Sequence, residues 1–139
     1  MPLDPAEAAR HAEDHLSTYP TIYVELTSDE PDDDTLGTPV AYTGYVGPLA
    51  MAAAAFTHDG AGKLTANVVA DFGDPEAGTP ETSAVAVEFY SSSAKTYRIA
   101  YEELDAPLDI DETTPHVRFP VGALVISFGS PDISGDGEP

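Results

Sequence analysis

The sequence predicts a mainly β fold (a β-rich α+β chain): one N-terminal helix followed by an antiparallel meander of six to seven strands, arranged as a barrel or a sandwich. Three observations carry this expectation. Apolar residues at helical spacing occur clearly once, at the start of the chain. From residue 21 onward apolar and polar residues alternate, the period of a half-buried strand. The alternating runs are short and separated by Gly-, Pro- and Asp-rich segments, which punctuate hairpins rather than helical crossovers.

The helix is expected over about 5–18. Asp4 suits the N-cap, Pro5 the first helical position and Glu7 the third, a capping-box pattern. Ala8, Ala9, Ala12 and Leu16 form a narrow apolar stripe. Tyr19 precedes Pro20 and is pushed towards extended geometry, which ends the helix near Thr18.

Strands follow from about residue 21. Ile22, Val24 and Leu26 alternate with Tyr23, Glu25 and Thr27. Residues 28–37 form a polar loop with five carboxylates, and a second alternating run covers 40–46. The segment 49–57 is ambiguous. Its alanines favour helix and Pro48 could open one, but the hairpin-like loop 58–63 and the alternating run beyond it favour strand. In that next run Leu64, Ala66, Val68, Ala70 and Phe72 share one face.

After a loop over 73–83, Val85, Val87 and Phe89 alternate with Ala86, Glu88 and Tyr90. A short connection, 91–95, leads to Tyr97, Ile99 and Tyr101, alternating with Arg98, Ala100 and Glu102. This is the best-defined hairpin of the chain. Residues 105–116 read as an acidic, Pro-containing loop. The segment 117–128 reads as one bent strand or two short ones, because Pro120 and Gly122 interrupt pairing. Residues 1–129 are thus expected to form a single β-rich domain, with 130–139 a flexible acidic tail. No segment repeats at a fixed period, which argues against solenoids and propellers.

Composition bounds the function more than it names it. The 139 residues carry 25 acidic and five basic side chains, a formal net charge of −20. The cations are Arg10, Lys63, Lys95, Arg98 and Arg118. In dilute buffer that charge repels itself and weakens the compact state. At molar salt the Debye length falls to about 3 Å and the repulsion largely disappears. The absence of Lys/Arg clusters argues against nucleic acid and anionic membranes as partners. Cysteine is absent, excluding disulfides and thiolate sites. The N-terminus lacks the basic and apolar regions of a signal peptide, and the longest apolar run, 46–56, is too short to span a bilayer. A cytoplasmic location is therefore expected. The acidic loops, lysine scarcity and alanine-rich strands resemble the small uncharacterised proteins of extremely halophilic archaea across the full length of the chain. That resemblance is compositional and transfers no functional site.

Candidate sites are few. Glu7, His11, His15 and Tyr19 recur every four residues on the helix, and an i,i+4 histidine pair can chelate a metal. Ala12 rather than glutamate follows His11, so the zincin pattern is missing, and a solvated helix face is the stronger expectation. An EF-hand counted from Asp32 puts Gly37 in place but Leu36 and Thr43 at ligand positions. The segment 132–137 makes a better start, yet no closing glutamate follows it. Carboxylate runs are therefore expected to gather hydrated cations nonspecifically. No catalytic residue or cofactor is assigned. Glu88 and Arg98 should pair across the best hairpin. Tyr90, Tyr97 and Tyr101 are the expected interaction surface, since an aromatic patch on an acidic exterior marks a protein contact. The expected function is a non-enzymatic, salt-adapted binding or protein-interaction domain, contacting another protein or itself. The alternative is a small enzyme or ligand carrier with a pocket at the mouth of a barrel, using His58 or His116.

Overall fold

The computed structural model describes residues 5–127. The single helix, α1, spans Pro5–Thr18, and nine antiparallel-sheet strands follow among the described residues. The mainly β fold and the one N-terminal helix are therefore as the periodicity requires. The sheets are open: a four-stranded sheet, a three-stranded sheet and a two-stranded ribbon. None closes into a barrel, leaving the sandwich-like alternative. The expected tail, 130–139, lies outside the described residues, as does the candidate calcium segment at 132–137.

The chain falls into two compact units that it visits in alternation. One holds α1, β3 (Phe56–His58), β4 (Lys63–Ala66) and β9 (Val125–Ser127), with strand order β3-β4-β9. Ala8 and Ala12 bury one side of α1, and Phe56, Leu64, Ala66, Leu124 and Ile126 are the buried side chains of the small sheet. The expected hairpin at 58–63 is present, with Phe56 opposite Ala66 and His58 opposite Leu64. Gly62 in its turn has φ +99°, and a Cβ there would lie 2.6 Å from the Ala8 side chain. Glycine is thus required both by backbone conformation and by the approach of the helix.

The other unit holds β1 (Thr21–Thr27), most of β2 (Leu49–Ala52), β5 (Ala70–Asp71), β6 (Thr82–Tyr90), β7 (Arg98–Ile110) and β8 (Arg118–Phe119). Its main sheet has the order β2-β1-β6-β7, and β5 pairs with β8. Phe72 is fully buried, stacked on Tyr45 at 6.2 Å and edge-on to Phe119 at 5.8 Å between ring centroids.

Several element boundaries differ from the sequence reading. Residues 40–46 form no strand; an isolated bridge joins Thr27 to Pro39, and the chain beyond it is a covering loop. The ambiguous 49–57 segment divides into β2, a 3-10 turn over Ala53–Ala55, and the start of β3. The run 64–72 breaks into β4 and β5, leaving Val68 and Val69 exposed. Residues 105–110, expected as loop, extend β7. Pro107 is tolerated there because β7 is an outer strand, where a missing N–H costs no ladder bond. The 117–128 segment contains two short strands, β8 and β9, separated by the turn at Pro120–Gly122.

Candidate functional site

The register of the main sheet places Glu25 of β1 directly opposite Glu88 of β6, and Glu88 opposite Tyr101 of β7. Facing residues share one side of a sheet. That side therefore carries Tyr23, Glu25 and Thr27, then Ala86, Glu88 and Tyr90, then Arg98, Tyr101 and Glu103. Alternation alone makes this the polar side and leaves it to solvent. In the structure Glu25, Glu88 and Tyr90 are almost wholly buried. The loop between β1 and β2 folds across them. Gly37 sits where a Cβ would be 2.7 Å from the Thr27 side chain, and its N–H donates to Glu88 Oε2 at 2.9 Å.

Two buried carboxylates on adjacent strands demand compensation, since an isolated buried charge is costly. Each receives one cation and one phenol. Lys95 Nζ lies 2.9 Å from Glu25 Oε1, and the Tyr45 hydroxyl donates to Glu25 Oε2. Arg98 Nη1 lies 2.7 Å from Glu88 Oε2, and the Tyr90 hydroxyl donates to Glu88 Oε1 at 2.5 Å. Burial, and then the hydrogen bonds to these carboxylates, push the Tyr45 and Tyr90 phenols far above the ordinary tyrosine range. Both therefore act as neutral donors. Lys95 has φ +58°, unusual for a side-chain-bearing residue, in the tight 91–95 connection that carries its ammonium back over the sheet. Two of the five cations in the whole chain are thus held by this one network.

The expected Glu88–Arg98 pair is present, but inside the protein. Tyr90, expected on an exposed surface, is instead fully buried, with the Lys95 ammonium 5.6 Å from its ring centre and its hydroxyl donated to the buried Glu88. Tyr97 and Tyr101 do reach solvent, at 73% and 37% exposure, and line one cleft of about 420 Å³. Its other wall is the acidic loop, through Asp33, Asp34 and Leu36, the last 47% exposed. Arg98 holds the walls together: its guanidinium donates to the Thr35 carbonyl at 3.2 Å and to the Asp32 carbonyl, and lies 4.3 Å from the Tyr101 ring centre. Tyr101 in turn donates to Asp33 Oδ1 at 2.7 Å.

The helix histidines are placed differently. Glu7 is drawn to Arg10 at 2.5 Å, and His11 Nε2 is 3.7 Å from the same carboxylate oxygen. His15 is half-buried against the Tyr19 ring, at 4.8 Å; burial lowers its basicity. Among the described residues no group of three or more His, Asp or Glu side chains is arranged to hold a metal ion. His58 accepts the Gly62 N–H within its own hairpin at 3.1 Å, and His116 Nδ1 lies 3.0 Å from Asp74. The two histidines belong to different units.

Sequence reasoning missed Glu25, Tyr45 and Lys95, and it missed Leu36 as a wall of the cleft. A signal existed for the first group: a glutamate at mid-strand in each of two strands, in a chain with very few cations. No helix among the described residues is long and apolar enough to cross a membrane. No protein-family model matches the chain, and comparison with curated proteins finds no significant match.

Proposed function

We propose that this chain is a non-enzymatic binding domain, adapted to high salt, whose protein-contact surface is the cleft between the acidic loop at 33–36 and the start of β7. The observation that carries this reading is the gathering of exposed Tyr97, Tyr101 and Leu36 around one cleft whose wall also carries Asp33 and Asp34. Tyrosine supplies large, stiff, amphipathic contact area and is enriched at interfaces. The walls are also fixed in advance. Arg98 ties the loop to the strand, so little ordering cost remains for a partner. The buried carboxylates beneath the cleft serve as its foundation, since all four of their oxygens already face a donor.

The salt adaptation rests on the −20 charge and on the exposure of most of the carboxylates that carry it. A selection from a naive displayed-peptide library against the whole chain, in molar potassium chloride, tests the contact surface. Binders are expected to emerge, and most should lose binding to a Tyr97→Ala, Leu36→Ala variant that melts as the parent does. Binders indifferent to that variant would place the contact elsewhere and refute the reading.

A further inference from the structure

We infer that the cleft takes a short extended segment of another protein bearing lysine or arginine, which adds as a strand to the outer edge of β7 over residues 98–101; this inference rests on the contact surface proposed above. Strand addition is available because β7 is the terminal strand of its sheet, so one row of its backbone groups has no ladder partner there. It is available only locally. From residue 102 onward the same strand carries Glu102, Glu103, Asp105, Pro107 and Asp109, the charges and proline that guard an edge. Residues 96–101 carry no carboxylate and no proline. Those residues are also the ones that line the cleft. The open stretch is long enough for about four or five residues of a partner at roughly 3.3 Å each.

Charge selects the partner. The cation at the cleft, Arg98, is already committed to Glu88 and to two loop carbonyls. Across from it Asp33 accepts the Tyr101 hydroxyl, and neither Asp33 nor Asp34 has an ion pair among the described residues. A basic side chain entering beside the peptide backbone meets these two carboxylates together with the Tyr97 ring, a combination of charge and cation–π attraction. A second copy of this chain is the poorer occupant. Molar salt screens the long-range repulsion, but at contact distance a chain with 25 acidic and five basic side chains brings the two aspartates mostly further carboxylates.

Two displayed libraries distinguish the possibilities, one fixing lysine and the other glutamate at alternate positions of a five-residue window. Selected against the whole chain, the lysine library is expected to enrich at least tenfold over the glutamate library. A synthetic lysine winner should shift the amide resonances of 98–101 and slow their hydrogen exchange. An Asp33→Asn, Asp34→Asn variant should erase the lysine preference. Equal enrichment of both libraries, dependent on Tyr97, would overturn the basic partner and leave the contact surface standing. Lysine winners that leave the 98–101 exchange rates unchanged would overturn strand addition. Absence of Tyr97-dependent binders from either library would overturn both readings.

Discussion

Removing the Arg98 guanidinium strips a fully buried carboxylate of its cation. In Arg98→Ala the Glu88 carboxylate keeps the Gly37 N–H and the Tyr90 hydroxyl but has no positive charge within contact. Glu88 is 0% exposed in the intact protein, so its carboxylate depends on these protein partners for its solvation. Breaking a buried pair by deleting one partner typically costs about 3–5 kcal/mol. The carbonyls of Asp32 and Thr35 lose a donor as well, but they lie in an exposed loop and can turn to water. For a chain of this length a loss of about 3–5 kcal/mol lowers the melting temperature by roughly 10–20 °C. The natural control is Arg118→Ala, which removes the exposed Arg118–Asp71 pair at 3.1 Å and should cost at most about 1 kcal/mol. Urea unfolding in molar potassium chloride is the assay, because urea leaves ionic strength fixed. High salt should not erase the Arg98 effect, since screening acts weakly on buried pairs. Glu88→Gln placed in the Arg98→Ala background should recover part of the loss by removing the stranded charge. If Arg98→Ala costs no more than Arg118→Ala, or if Glu88→Gln gives no recovery, the description of Glu88 as a buried, cation-dependent carboxylate is wrong.

Two further outcomes are expected. Lowering salt from molar to about 0.1 M lengthens the Debye screening from about 3 to about 10 Å and should lower the melting temperature; a salt-independent melt would refute self-repulsion as a controlling term. At the alkaline end, burial raises the phenols of Tyr42, Tyr45 and Tyr90 above the ordinary value of 10.0. The folded state then holds protons that the unfolded chain releases, so their contribution is complete below about pH 10 and is lost as pH rises beyond it. Tyrosinate absorbance should show these three ionising together with the loss of circular dichroism, and their ionisation in a still-folded protein would contradict their burial.

What was legible before the fold was seen is uneven, and the reasons are physical. The helix from Pro5 to Thr18 and the existence of the β6–β7 hairpin rest on local signals, namely helical spacing and alternation, but register shifts at Ala84/Ala86 and Phe89/Tyr90 put Arg98 and Tyr101 on one side, where simple alternation separates them. Tyr97, just before β7, and Tyr101 on β7 are exposed, at 73% and 37%. Tyr90 is not. Alternation separates two faces of a strand, but it does not say whether a distant loop covers the polar one. Here loop 28–48 reaches Glu25 and Glu88, and these become interior groups through partners 10 to 70 residues away, while Tyr90 is buried beside them with its hydroxyl on Glu88. Strand lengths failed for the same reason. Pro107 reads as a loop residue until β7 is known to be an edge.

The sequence by itself determined a β-rich chain with a leading helix, a strong excess of carboxylates and only five cations, because these are properties of composition and short-range pattern. Only the tertiary structure decided that two of those scarce cations pair with carboxylates buried on the main sheet, and that the acidic loop and the start of β7 line a cleft with tyrosine on one wall and carboxylates on the other. Side-chain period fixes which residues share a face, whereas burial depends on which segment comes to lie upon that face. That second fact is set by contacts between residues far apart in the chain, which no local pattern records.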